Sequence, residues 1–191
     1  MAHDTQHINK QRQNLDAFDE IWVFGYGSLI YKVDFPYLKS SVAHLYGYER
    51  RFWQGSHDHR GTPENPGRVL TLTPVPQARC FGRAFQVERE VFDHLDHREK
   101  NGYLREIVEI ELVTENRIVE GLVYIASPEN AAFLGEASSD DIARQIYHSS
   151  GPSGPNRDYV FQLADALREH NEIDAHVFDI ESAICRIHEQ K

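Results

Sequence analysis

Three short segments hold residue types that could do chemistry. The first, FGYGSLI at Phe24 to Ile30, sets Gly25 and Gly27 after an apolar run and follows them with Ser28. Successive N–H groups in such a turn form a concavity for an anion, and a serine hydroxyl adds a donor. Two glycines at the end of a strand are also an ordinary bulge or hairpin turn, and alone that is their commoner meaning. A phosphate loop is excluded, because the segment lacks both the Lys-Ser/Thr ending of a Walker motif and the third glycine of a dinucleotide fingerprint. The second segment, LDHREKNGY at Leu95 to Tyr103, brings Asp96, Arg98, Glu99 and Lys100 together at the end of a short helical pattern. By itself this is a solvated charge run. Asn101-Gly102 permits a sharp change of direction, which would let the chain turn one carboxylate inward. The third, RRFWQGSHDHRG at Arg50 to Gly61, mixes arginine, aromatic and polar residues. His57 and His59 with only Asp58 nearby make an incomplete metal set, and no HExxH or cysteine partner accompanies them, so no metal is expected. No GxSxG elbow supports Ser28, Ser56 or Ser153 as a nucleophile.

Short strands are the elements that must position these segments. Ile21 to Tyr26 reads as a buried strand entering a turn, and Leu45 to Gln54, Arg68 to Thr73, Cys80 to Val87, Glu106 to Val113 and Val119 to Ala126 are further candidates. In the fifth, Val108, Ile110 and Leu112 oppose Glu109 and Glu111, giving one buried face. A short helix is expected over Glu88 to Asp96. Cap-type residues Ser139, Asp140 and Asp141 open a second helix, Asn156 caps a third, and a fourth follows Asp174 with Val177, Ile180, Ile184 and Ile187 on one stripe. About six short strands followed by mainly C-terminal helices predict an α+β fold, a small curved sheet or barrel in a single domain.

The 191 residues suffice for one domain, and their 40% hydrophobic and 26% charged content is that of an ordinary globular chain. A net charge of -10 offers no basic field to phosphates, so nucleic acid is not an expected partner. Only Cys80 and Cys185 are present, without CxxC spacing; both read as small core hydrophobes, and the cytoplasm fits best. The first twenty residues are polar and no long apolar run occurs, so a flexible extension over residues 1–20 is expected to precede a domain over 21–188, with no membrane anchor.

Taken in order, FGYGSLI, RRFWQGSHDHRG, LDHREKNGY and GPSGPN, the last at Gly151 to Asn156, are far more specific than separately. Together with YKVDFPY at Tyr31 to Tyr37 and PGRVLTL at Pro66 to Leu72, they resemble the ChaC family of glutathione-specific γ-glutamylcyclotransferases from Trp22 to about Ala166. Tyr31 stands where that family commonly has Trp, and His94 where Tyr is usual; neither departure removes a reactive group.

The resemblance implies a compact γ-glutamylcyclotransferase-like fold, a small mixed β-barrel flanked by helices. It implies that Tyr26, Gly27, Ser28 and Leu29 cradle a substrate carboxylate, that Glu99 is the catalytic glutamate, and that Arg51, Gln54, Ser56, Tyr103 and Tyr147 line the pocket. The implied reaction is attack of the γ-glutamyl α-amine on its own γ-carbonyl, giving 5-oxoproline and Cys-Gly from glutathione, without a cofactor and in a monomer. Two alternatives stay open: a cyclotransferase for other γ-glutamyl amines or amino acids, and a non-catalytic small-molecule-binding regulator.

Overall fold

The computed structural model describes residues 4–189. Strand β1 (Ile21–Gly25) is the apolar run before the glycine loop; β2 (Lys39–Ser56), β3 (Gly67–Val87), β4 (Tyr103–Leu112) and β5 (Arg117–Ala126) follow. These five close a barrel in the order β1-β3-β2-β4-β5. The barrel is mixed: β1 runs antiparallel to β3 with Phe24 opposite Ala84, and parallel to β5 with Phe24 opposite Val123. The α+β class and the mixed barrel agree with expectation, but the strands number five rather than about six. The third and fourth candidates are one strand of 21 residues. Between them lie Pro74, Pro76 and Gln77, the last with a φ of 75°, along a stretch exposed to solvent. There a carbonyl that lacks the missing proline donor is met by water, and the strand runs on where the sequence reads as a break.

The described residues form two units, one of residues 4–49 and 72–131 and one of residues 50–71 and 132–189, so β2 and β3 contribute to both. In the first unit helix α1 (Gln6–Arg12) and helix α2 (Val91–Arg98) accompany the barrel. Val91, Phe92 and Leu95 of α2 join Val23, Phe85, Leu122 and Tyr124 in one buried cluster, which fixes the angle at which α2 delivers the residues after it. Gly102 then takes a φ of 88°, a left-handed turn that reverses the chain into β4.

Residues 1–3 of the expected extension lie outside the described residues; residues 5–12 contact β4 and the turn before it. Thr5 donates its N–H to Lys100 O at 2.9 Å. Fully buried Asn9 donates to Tyr103 O at 3.0 Å and accepts the Arg105 N–H at 2.9 Å, pairing with β4 as a neighbouring peptide group would. Arg12 Nε adds a bond to Arg105 O at 2.8 Å. Polarity alone made the segment look solvated, whereas its polar groups supply the hydrogen bonds of a strand edge.

The second unit packs helices α3 (Ser139–His148), α4 (Asn156–Glu169) and α5 (Ala175–Glu189) on one another through Ile142, Ile146, Val160, Leu163, Val177, Ile180 and Ile184. Strands β6 (Ser150–Gly151) and β7 (Gly154–Pro155) form a two-residue hairpin between α3 and α4. Asn156 was expected to cap α4. Instead its buried amide accepts the Arg68 N–H at 2.7 Å and donates to Arg68 O at 2.9 Å, tying β3 to the helix start. Asp174 caps α5, accepting the Val177 N–H at 3.1 Å. Cys80 is buried as expected; Cys185 is exposed, because it falls on the outer side of the α5 stripe.

His176 Nε2 accepts the Phe52 N–H at 2.9 Å, so the fold requires the neutral ring there. Burial, and then the charge of Arg51, push its pKa down to about 4.

Two expected outcomes follow from these contacts. Asn9→Ala removes two hydrogen bonds to backbone groups of β4 and lowers stability by about 2–3 kcal/mol in urea denaturation; a loss under about 0.5 kcal/mol would show that Asn9 does not hold β4. Because the folded state binds the His176 proton less readily than the unfolded chain, its contribution is complete above the ordinary histidine pKa near 6.5 and is lost as pH falls towards 4. Denaturation at pH 7 and 4.5 should therefore show a loss about 1–3 kcal/mol smaller for His176→Gln than for the parent, and equal losses would refute this.

Candidate active site

Glu99 follows the last residue of α2, its N–H still donating to Leu95 O at 2.9 Å. Its side chain is 21% exposed, and Oε1 lies 3.1 Å from Nε of Arg98, which is 18% exposed. The same guanidinium donates from Nη2 to Ser28 Oγ at 2.6 Å and from Nη1 to Asp34 Oδ1 at 2.6 Å. One planar group thus joins the glycine-rich loop, the segment after it and the α2 carboxylate. His94 approaches the other Asp34 oxygen at 3.4 Å. Burial works to raise the Asp34 pKa, but the charges and hydrogen bonds of Arg98 and His94 outweigh it and hold the carboxyl below its usual range.

The loop is shaped by what fills the space beneath it. A Cβ on Gly25 would fall 2.4 Å from Leu29 Cβ, so only glycine lets the chain fold back over Leu29. Ser28–Ile30 form a single 3-10 turn closed by the Ile30 N–H to Gly27 O at 3.0 Å. The first N–H groups of such a turn have no acceptor within it, and here they belong to the loop's own glycine and serine. Leu29 is buried in the first unit's core, and Tyr26 is buried with its hydroxyl donating to Tyr124 O at 2.7 Å.

Behind Glu99 lies a buried polar chain. Tyr124 Oη donates to Asp96 Oδ1 at 2.7 Å, and Arg105 Nε stands 3.5 Å from that oxygen. Burial pushes Asp96 upward, only partly countered by the Tyr124 hydrogen bond and the Arg105 charge. Burial, then the Asp96 charge, push the Tyr124 phenol far above its ordinary value, so it stays a donor. In front, Thr5 Oγ1 donates to Lys100 O at 3.1 Å and lies 3.5 Å from Glu99 O, giving the carbonyls at the end of α2 a partner outside the helix.

Within the first unit the structure brings together Tyr26, Gly27, Ser28, Leu29, Glu99 and Tyr103, the last in the same buried cluster as Leu29. Arg51, Gln54, Ser56 and Tyr147 belong to the second unit. There Arg51 Nη1 donates to Arg50 O at 3.0 Å, Ser56 Oγ accepts the Arg60 N–H at 2.9 Å, and buried Gln54 bridges Phe133. Tyr147 Oη lies 3.3 Å from His188 Nδ1, with the Arg157 guanidinium 5.3 Å from its ring. Sequence reasoning missed the roles of Thr5, Asp34 and Arg98. Arg98 adjoins Glu99 and was in view as part of the charge run; Asp34 and Thr5 carry no local signal, because their partners lie 64 and 95 residues away.

Residues 21–187 match the family described as ChaC-like protein. γ-Glutamylcyclotransferase 2-3 of Arabidopsis thaliana is 42% identical over 178 residues, covering 87% of this chain and 89% of that one. Glutathione-specific γ-glutamylcyclotransferase 1 of Danio rerio is 42% identical over 173 residues, covering 86% and 88%. Among solved structures, the glutathione-specific γ-glutamyl cyclotransferase from yeast superposes with a TM-score of 0.80 at 31% identity, over 87% of this chain and 96% of that one. With the barrel, the glycine-rich loop and the α2 carboxylate in place, the match over nearly the whole chain makes this protein a member of the ChaC-like family.

Proposed function

We propose that this chain cleaves glutathione into 5-oxoproline and Cys-Gly, with Glu99 as general base and then general acid. The observation that carries the proposal is the junction in the first unit: a partly exposed carboxylate joined through one guanidinium to the serine of a glycine-rich loop. The relatives named above act, by their names, on γ-glutamyl substrates, two of them specifically on glutathione.

The chemistry needs few parts. The substrate's α-amine attacks its own γ-carbonyl, a C–N bond forms to close a five-membered ring, and the amide C–N bond to the cysteinyl residue breaks. The N–H groups of Gly27 and Ser28 hold the α-carboxylate, with Tyr26 and Leu29 fixing the loop from below. Glu99 takes the proton from the attacking amine and returns it to the leaving amide nitrogen. Holding the γ-glutamyl chain folded supplies the rest, since well-oriented intramolecular attack reaches effective molarities of about 10⁵ M or more. Tyr103 is proposed as a further substrate contact within the first unit. The roles require no metal and no cofactor.

We place the protein in the cytoplasm as a monomer that meets neither nucleic acid nor membrane. Its two cysteines, outside any disulfide, suit a reducing compartment, its net charge of -10 repels phosphate backbones, and among the described residues no helix is long and apolar enough to cross a membrane.

Purified parent and Glu99→Gln proteins, incubated with glutathione in the presence of chelator, are compared by mass spectrometry of 5-oxoproline and Cys-Gly. The parent is expected to release both in equal amounts; Glu99→Gln should lose about 10²–10⁴ in kcat with KM little changed. Normal turnover by Glu99→Gln would end the acid/base assignment. Glutathione binding without product from the parent would favour a binding protein.

A further inference from the structure

The Arg98 side chain touches both parts of the proposed machinery. We infer that Arg98 is the positioning residue of this site: by bonding Ser28 and Asp34 it aims the Glu99 carboxylate and orients the Ser28 hydroxyl as a donor towards the loop's ligand. The inference rests on the reading of Glu99 as the proton carrier.

Three features support it. Each nitrogen of the guanidinium serves a different partner: Nη1 takes Asp34, Nη2 takes Ser28 and Nε faces Glu99. A planar group engaged at three points cannot rotate about its own axis, so the nitrogen beside Glu99 is fixed by the other two. Second, Ser28 Oγ is occupied as an acceptor, which leaves its own proton to be donated elsewhere. Third, Asp34 also meets His94 at 3.4 Å, so the outer, solvent-exposed end of the array has a second contact. An exposed ion pair would carry little weight, but Arg98 and Glu99 are both about four-fifths covered.

The array also fixes the direction of a pH effect. The Arg98 guanidinium lies against the Glu99 carboxylate, Lys100 follows it in the chain, and the Tyr124 phenol of β5, bonded to Asp96 beside Arg105 of β4, feels its charge. Arg98 is the cation in contact with the carboxylate, and a neighbouring cation favours the ionised form that accepts a proton. Without it, Glu99 holds its proton to higher pH and the acid limb of activity moves upward.

The test measures kcat, KM, the pH profile of kcat/KM and thermal midpoint for Arg98→Met, Arg98→Lys and Asp34→Asn, each also combined with Glu99→Gln. Arg98→Met should lose about 10–100-fold in kcat and shift the acid limb up by about one pH unit. Arg98→Lys should restore the position of the limb but not the rate, because an ammonium supplies the charge and not the planar fork. Asp34→Asn should show a smaller rate loss of the same kind, and in the Glu99→Gln background Arg98→Met should change the residual rate less than about twofold. Parent-like kcat and acid limb in Arg98→Met would overturn the inference while leaving Glu99 intact. So would an equal rate loss with and without the Glu99 carboxylate, accompanied by a lowered thermal midpoint, since that is the pattern of a merely structural arginine. Full activity of Glu99→Gln alone would instead overturn the underlying reading.

Discussion

A guanidinium can be held in one orientation only when its donors have acceptors that are themselves fixed, and the first unit is organised around meeting that condition for Arg98. Ser28 is fixed by the 3-10 turn over Leu29 and Glu99 by the last hydrogen bond of α2, while Asp34 meets His94 at the exposed rim. The turn and the helix end rest on the barrel core. Leu29 packs into the same cluster as Val91, Phe92 and Leu95, so the loop that offers Ser28 and the helix that offers Arg98 share one hydrophobic contact surface. Close packing transmits small volume changes, which makes Gly25 and Leu29 as important to the site's geometry as the polar groups above them.

The second unit meets the same demand, that buried polar groups be paired, by other means. Asn156 binds both backbone groups of Arg68, and the Arg68 side chain reaches Phe52 O and Gly135 O, each at 3.0 Å, and Gln145 Oε1 at 2.7 Å. Buried Arg50 is balanced by Asp174 at 2.9 Å. Such networks are worth little net energy but penalise every alternative arrangement in which one partner is missing, so they specify the path of β2 and β3 more than they strengthen it.

What was legible in the sequence follows the range of the forces involved. Alternation and helical stripes report burial within a few residues, so β1, β4, β5 and the helices α3 to α5 emerge with ends displaced by only a few residues. β3 misled because Pro74 and Pro76 signal a break on local grounds, whereas the ladder tolerates them where the strand is exposed. Asn156 misled for the opposite reason: its cap-forming chemistry is real, but a buried backbone across the unit competes for the same amide and wins. The Glu99 and loop assignments came from the ordered set of motifs, not from spacing alone. Asp34, Thr5 and Asn9 stayed hidden because a polar residue in a polar stretch looks the same whether it faces water or a distant peptide group.

The hydrogen bonds of Thr5, Asn9 and Arg12 link partners 93 to 96 positions apart in the chain. Thr5, Asn9 and Arg12 therefore lack these partners until more than ninety further residues have been made. Closing so long a loop is slow compared with forming local turns, and synthesis adds only about 5–20 residues per second. For several seconds the nascent chain carries the polar segment of α1 before its destination exists. The carbonyls of Glu99 and Lys100 acquire Thr5 as their outer partner only when that segment docks, so the hydrogen bonding at the end of α2 is completed by residues made long before it.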